Sequence, residues 1–429
     1  MSTKDEEGAL LALQRHHRVR FISLSEPGLH KLLAVADKPF PMLEDLTLTS
    51  HDPFFCSRLP ETFTAPRLRH LDLVGVGDVF APGLPLLASI TGLVTLTLDG
   101  IPSETCLPIK YLTSRLSLMP LLECLSLQFR ASGFGFTELE RQHLSSLKKD
   151  FTSDLADLQI VQLPKLHNIA FRGACTYLED LVSCIRAPFL TTFTVTFSPR
   201  PSTPLPRFSE FLTAAEELRF PVASFIFSGP NENNPGVFIT VASSGQTLDY
   251  FPQYSDTPFL IRFSCRGLDE QVACAARICT ALSPMLSEVE KLHLGYHATR
   301  WHRGFPPEIP QEVWLELLRP FCNVKKLQVD QAMTRELSYA LCPENGPPPT
   351  EGILPKLCKI SRPHHACFEG MLDPFIAARK AAGQPIVKRR CPPTSDSESE
   401  EHDLEWWLAG DSDEEITTEL DSDSDFDSE

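Results

Sequence analysis

The sequence has thirteen cysteines but no Cys-x-x-Cys pair. Their odd number, their scatter and their apolar settings, as in Leu122-Glu-Cys124-Leu125 and Ala273-Cys274-Ala275, exclude a disulfide framework. They fit reduced core thiols in a cytoplasmic or nuclear protein. Long apolar runs are also missing. The best candidate, 84–98, is interrupted by Pro85, Gly92 and several Ser and Thr, and falls short of a membrane span. The opening Met1-Ser-Thr-Lys-Asp-Glu-Glu-Gly8 is charged and has no apolar core, so no secretory signal is expected. Basic stripes are scarce, which argues against a nucleic-acid footprint, since neutralising phosphates requires clustered Lys and Arg.

Catalytic motifs are absent in the same way. Ser25, Ser228 and Cys367 stand without a Gly-x-Ser-x-Gly elbow, a Gly-rich phosphate loop or paired acids on a helix. No enzyme and no cofactor is expected. The densest set of metal-binding residue types, Cys342, Cys358, His364, His365 and Cys367, lacks the paired spacing of a zinc site, and no metal is assigned to it.

What is present is a repeated phrase. It stands clean at Leu43-Glu-Asp-Leu46-Thr-Leu48 and again at Leu68-Arg-His-Leu71-Asp-Leu73, with apolar residues at its first, fourth and sixth positions. The fourth and sixth alternate with polar neighbours, the period of a strand with one buried face. Counted by its first position, the phrase recurs at Val19, Leu43, Leu68, Leu93, Leu122, Leu166, Leu190, Val222, Val289, Val324 and, decayed, Leu357. Spacings of 24, 25, 25 and 29 residues open the series, within the window of leucine-rich repeats.

Between the copies, apolar residues fall at helical spacing in 108–118, 138–149, 177–186, 208–217 and 311–319. Strand and helix each expose one apolar side, and stacking neighbouring units buries both. The expected fold is therefore α/β: an irregular leucine-rich-repeat solenoid, parallel strands on the concave face and helices outside.

The rhythm breaks in the centre. Val222–Phe227 and Val237–Ala242 flank Ser228-Gly-Pro-Asn-Glu-Asn-Asn-Pro-Gly236, which reads as a hairpin with a loose loop. The expected organisation is a leader at 1–14, repeats over 15–227, a β-rich insertion at 228–267, repeats and a capping helix over 268–390, and a tail at 391–429. A helix is expected over 268–282, and another over 374–382 with Gly383 at its C′ position. Sixteen Asp and Glu and no Lys or Arg lie between Thr394 and Glu429, so this segment holds nearly all of the formal charge of −17. Such a composition is expected to be disordered.

The run Trp314-Leu-Glu-Leu-Leu-Arg-Pro-Phe-Cys-Asn-Val-Lys-Lys-Leu-Gln-Val329, with Leu286-Ser-Glu-Val-Glu-Lys-Leu-His-Leu294 and Phe375-Ile-Ala-Ala-Arg379…Gly383-Gln-Pro-Ile386, resembles the fungal (basidiomycete) F-box-like leucine-rich-repeat proteins. The resemblance spans roughly 15–388. It implies a non-enzymatic substrate-recognition subunit of an SCF-type ubiquitin ligase, with the Skp adaptor and a cullin as partners. The chain departs from the pattern at its start, where no Leu-Pro-x-Glu-Ile opening precedes the repeats. Pro306-Pro307-Glu308-Ile309 is a superficial match between repeats. Either the sequence begins downstream of an F-box or this member dispenses with one. The alternative function is an adaptor-independent interaction protein whose acidic tail binds a basic partner.

Candidate partner-binding residues are the polar positions of the strands: Arg69, Asp72, Thr95, Thr97, Glu123, Ser126, Thr192, Thr194, Lys291, His293, Lys326 and Gln328. They form a binding ladder or a plain solvated face, and the sequence leaves the two level. In the tail, Ser395, Ser397, Ser412, Thr418, Ser422 and Ser424 each precede an acid by three residues, the pattern of an acidophilic kinase. Trp406 and Trp407 lie in an apolar island that suits folding onto a partner. Lys388-Arg389-Arg390 is a weak nuclear signal.

Overall fold

The computed structural model describes residues 13–25, 32, 37–50, 63–75, 87, 90–101, 107–130, 159–198, 204–215, 217–218, 221–229, 236–242, 258–265, 267–297, 309–341, 352–362 and 370–390. The helix expected over 138–149 and the whole tail lie outside them. Among the described residues the strands are β1 Phe21–Ser25, β2 Asp45–Thr49, β3 His70–Val74, β4 Thr95–Ile101, β5 Cys124–Phe129, β6 Val161–Gln162, β7 Asn168–Gly173, β8 Ile185–Arg186, β9 Thr192–Phe197, β10 Val222–Ser228, β11 Gly236–Ala242, β12 Phe259–Ser264, β13 Lys291–His297, β14 Lys326–Val329, β15 Lys359–Arg362 and β16 Val387–Arg390. All but the short β6–β8 pair join one fourteen-stranded sheet in the order β1-β2-β3-β4-β5-β7-β9-β12-β11-β10-β13-β14-β15-β16.

Most copies of the phrase enter their strands the same way. The backbone N–H of the first residue closes a turn on the carbonyl three residues back, as in Leu43 to Phe40 (3.2 Å), Leu166 to Leu163 (3.2 Å) and Val289 to Leu286 (3.1 Å). The next two N–H groups then fork onto one carbonyl of the preceding copy. Glu44 and Asp45 share Arg20 O, Arg69 and His70 share Glu44 O, and Lys325 and Lys326 share Glu290 O. These bonds satisfy backbone groups that burial would otherwise orphan, and they set the register of strand on strand.

The register places the fourth positions in one row, Ile22-Leu46-Leu71-Leu96-Leu125-Ile169-Phe193, and the sixth in a second, Leu24-Leu48-Leu73-Leu98-Leu127-Phe171-Val195. Nearly all of these side chains are buried. A fully buried Leu, Ile or Phe contributes about 1.5–3 kcal/mol relative to exposure, so the two rows form the spine of the core. Helices cover this side. Ile109–Leu116, Cys175–Cys184 and Pro206–Ala214 pack side by side, as do Leu268–Ala281, Gln311–Leu318 and Gln331–Leu341. Glu179 ties two of these neighbours together, because its carboxylate accepts the N–H groups of Arg207 (3.1 Å) and Phe208 (2.8 Å) at the start of the next helix.

The centre departs from an all-parallel sheet without breaking it. β11 runs antiparallel to both β10 and β12, whereas β12 is parallel to β9 and β10 is parallel to β13. The chain passes beyond β12 and β11 to lay down β10, returns through the hairpin, and ends beside β9. One reversed strand between two forward ones restores the direction for β13. The apolar rows also stay in phase, since Val195 meets Ile261, which meets Ile239, then Phe225, then Leu294. The eighth copy is slipped relative to the sequence reading. Val222, indexed as its first apolar residue, stands opposite Lys291, a third-position residue, and the fork falls on Pro221 O. A two-residue slip keeps every side chain on its face, so alternation alone does not detect it.

The hairpin seam is closed by Gln271, which is fully buried. Its Nε2 donates to Ser228 O (2.8 Å) and Cys265 O (3.1 Å), and its Oε1 accepts the Ser228 N–H (3.2 Å). Ser228 Oγ in turn donates to Gly236 O (2.8 Å).

At the C-terminal end the decayed copy is structurally regular. Leu357 N–H reaches Leu354 O (3.0 Å), and Cys358 and Lys359 fork onto Lys325 O. Beyond it lies β16, parallel to β15, in a segment whose Val-Lys-Arg-Arg composition shows no apolar alternation. The helix Asp373–Ala381 ends with Gly383 at φ +76°, and the Gly383 and Gln384 N–H groups return to Lys380 O and Arg379 O. This is the two-bond left-handed stop expected from the glycine. Arg379, fully buried, donates through Nη2 to Leu354 O (3.2 Å) and Pro355 O (3.0 Å), bracing the turn in which Leu354 takes φ +46°.

Candidate interaction face of the sheet

The face opposite the helices carries the residues between the apolar ones. Its fifth-position row runs in register through the whole sheet: Ser23, Thr47, Asp72, Thr97, Ser126, Ala170, Thr194, Leu260, Thr240, Ser224, His293, Gln328, Ser361 and Arg389. Asp72, Thr97, Ser126, Thr194, His293 and Gln328 of the candidate set share this row. Thr95, Thr192, Lys291 and Lys326 lie two residues earlier in their strands, and Arg69 and Glu123 precede theirs by one residue. Most of these side chains are partly or fully open to solvent. The tail candidates Trp406, Trp407 and the six phosphorylation positions lie outside the described residues.

Chemistry varies along the face. At the N-terminal end Asp45, Asp72 and Asp99 step diagonally across β2, β3 and β4. Burial, and then the charges of Asp99 and Asp45, hold the Asp72 carboxyl above its usual range. Among the described residues its Oδ1 is enclosed and takes no hydrogen bond. Beside it His70 Nδ1 lies 3.2 Å from Thr95 Oγ1.

In the middle, where the hairpin enters, the face is closed. Ser224, Thr240, Leu260 and Ile226 are all buried. His293 belongs to this closed part although its position in the phrase suggested an open one. It is 7% exposed, its Nδ1 lies 2.9 Å from Ser224 Oγ, and burial pushes its pKa down from 6.5 to about 4. The imidazole is therefore neutral at pH 7 and part of the fold's interior.

The C-terminal end is basic. Lys291, Lys326 and Lys359 stand in direct register on β13, β14 and β15. Strands lie about 4.8 Å apart, and aligned like charges are unfavourable unless something neutralises them. Lys325 adds a fourth cation and is bonded to Glu290 (2.6 Å). That bond, reinforced by the charges of Lys325, Lys291 and Lys326, holds the exposed Glu290 carboxyl below its usual range. Lys359 escaped the sequence reading because its copy looked decayed; the signal was present, since it occupies the same place in the phrase as Lys291 and Lys326.

Among the described residues no group of His, Cys, Asp and Glu is placed to hold a metal ion, and no helix is long and apolar enough to cross a membrane. Cys358 is exposed, with Sγ 3.3 Å from Lys325 O; its companions Cys342, His364, His365 and Cys367 lie outside the described residues.

These registers define an α/β leucine-rich-repeat fold with a long, mostly parallel sheet flanked by helices. No family model matches the chain, and no curated protein matches its sequence. Among solved structures it is similar to the leucine-rich repeat-containing protein LegL7 from Legionella pneumophila, at 12% identity over 86% of this chain and 98% of that chain, with a TM-score of 0.31. At that degree of superposition the repeat assignment rests on this chain's own turns, forks and registers. Stacking of this kind leaves the face opposite the helices outside the two apolar rows, closed at its centre and more open toward both ends.

Proposed function

We propose that the protein is a non-enzymatic protein-binding scaffold that presents the face opposite its helices to a partner. The observation that carries this reading is the in-register row of mainly polar residues crossing all fourteen strands, on a face that carries Asp45, Asp72 and Asp99 toward one end and Lys291, Lys326 and Lys359 toward the other. A face of that length offers many weak contacts, and its charge polarity orients a partner and selects against a reversed one. The finer reading is substrate recognition related to an SCF-type ubiquitin ligase. It is supported by the sequence resemblance at 286–294, 314–329 and 375–386.

The test compares partners recovered by the full chain with those recovered by a variant carrying Arg69→Glu, Asp72→Lys and Thr97→Lys. A variant at the exposed helix residue Lys110 serves as control. Loss of a partner from the face variant alone supports the scaffold reading, and an identical partner set from all three chains refutes it. Skp adaptor and cullin in the recovered set would support the ligase role; a specific partner recovered without them would remove it.

A further inference from the structure

Two buried thiols meet at the hairpin seam. Cys265 directly follows β12, and Cys274 lies midway along the helix Leu268–Ala281. Cys265 Sγ donates to Cys274 Sγ at 3.7 Å, and the two residues are 4% and 3% exposed. The fold of the seam brings them together. Gln271 and Cys274 are three residues apart and so share a helix face, and Gln271 Nε2 holds Cys265 O at 3.1 Å. The same side chain bonds both backbone groups of Ser228, so the helix is fixed at once to β10 and to the residue after β12, with β11 between those strands. Sulfur atoms in a disulfide stand about 2.05 Å apart, which leaves this pair about 1.7 Å to close.

We propose that Cys265 and Cys274 are a redox pair, thiols at rest and joined by a disulfide when the protein meets a peroxide. One sulfur, as its thiolate, attacks a peroxide oxygen. The S–O bond forms, the O–O bond breaks, and the departing hydroxide takes up the thiol's proton and leaves as water. The neighbouring thiol then attacks the sulfenic sulfur. The S–S bond forms, the S–O bond breaks, and the leaving oxygen departs as a second water. In sum two thiols and one hydrogen peroxide give one disulfide and two waters, and a dithiol reductant reverses the change by exchange. Burial sets the rate, because peroxide reaches the pair only when the helix opens locally from the seam. Contact sets the product, because the resolving thiol is in place before the sulfenic acid can be oxidised further. The bond closes a loop of ten residues, 265–274. It staples the helix to the end of β12 and tightens the seam beneath the closed middle of the face, whether or not any partner is bound.

The test treats the reduced full chain with a small excess of hydrogen peroxide at neutral pH, alkylates the remaining thiols in denaturant, and digests with trypsin without reduction. Cleavage after Arg262, Arg266 and Arg277 leaves Cys265, Cys274 and Cys279 on three separate peptides. Cys279 lies on the same helix and is fully buried, so it controls for burial without the contact. The expected result is that 263–266 joined to 267–277 is the dominant disulfide of these three cysteines, several-fold above any linkage to Cys279, and that dithiothreitol removes it. Amide hydrogen exchange in 268–281 is expected to slow about tenfold in the oxidised chain, because the closed loop disfavours local opening. In Cys274→Ala, peroxide is expected to leave Cys265 as a thiol or as a sulfenic acid that dimedone traps; the disulfide map of the unsubstituted chain decides the matter even if that variant does not fold. Three results overturn the proposal: Cys265 and Cys274 still alkylated after the exposed Cys322 and Cys358 are fully oxidised, sulfinic acid at either in place of the linkage, or a linked chain whose exchange in 268–281 is unchanged.

Discussion

Acidification from pH 7 to pH 4 is expected to remove about 3 kcal/mol of stability through His293 alone. The imidazole is 7% exposed and lies 2.9 Å from Ser224 Oγ. In the row its neighbours are Ser224 and Gln328, and Lys291 lies two residues away on the same strand. The nearby Asp330 carboxylate is engaged by the N–H groups of Tyr296 and Met333. Burial therefore lowers the pKa to about 4 in the fold, against an ordinary value of 6.5 in the unfolded chain. Between those two values the unfolded chain binds a proton that the folded chain does not. Stability is complete above about pH 6.5, falls as the pH drops toward 4, and levels off below it. The difference of about 2.5 pKa units, at 1.36 kcal/mol each, sets the size of the effect.

The measurement is urea denaturation of the full chain and of His293→Asn at pH 7, 5.5 and 4.5. Asn does not titrate and keeps a group able to hydrogen-bond Ser224. Carboxylates titrate alike in both chains, so the difference between them isolates the imidazole. That difference should grow by about 1.4 kcal/mol per pH unit below 6.5. Parallel loss of stability in the two chains, or an imidazole resonance titrating near 6.5 in the folded protein, would refute the reasoning.

Other perturbations test the frame around the face. Leu96→Ala removes a fully buried member of the central apolar row and is expected to cost about 2–5 kcal/mol in chemical denaturation. Gly75 and Gly383 share a positive φ, yet a Cβ at Gly75 would meet Ser50 O at 1.9 Å whereas at Gly383 it meets nothing within 4 Å. Gly383→Ala should therefore cost about 1–2 kcal/mol and Gly75→Ala distinctly more, by thermal melting; equal losses would mean that the strand end at Ser50 yields freely. Gln271→Leu orphans the Ser228 N–H and its carbonyl at the hairpin seam, costing about 1–3 kcal/mol per group. Hydrogen exchange should then rise first in β10 and β12; a uniform rise would contradict a local seam.

The leucine phrase carried the repeat architecture because its alternation is a direct statement about one buried strand face. Its proline-bearing lead-ins, such as Phe40-Pro41-Met42, close the observed turns. Gly383 likewise announced a helix stop, since the left-handed backbone there suits glycine. Harder to read were features with no periodicity of their own. β16 is a strand because β15 offers it an edge, and the helix Gln331–Leu341 follows Asp330, whose carboxylate accepts the Met333 N–H at its start. His293 has the same place in its phrase as exposed residues elsewhere, and only the closed middle of the face makes it interior.

The sequence by itself determined that this chain is a stack of strand and helix units with an acidic segment after them, because apolar spacing and charge are local properties. Tertiary structure decided the order of strands at the centre, the two-residue slip at Val222, and which face positions are open, closed or aligned. Alternation has a period of two and is blind to direction and to even shifts. Only the hydrogen-bonded register brings Lys291, Lys326 and Lys359 into one line, turning three separate lysines into a surface with a sign.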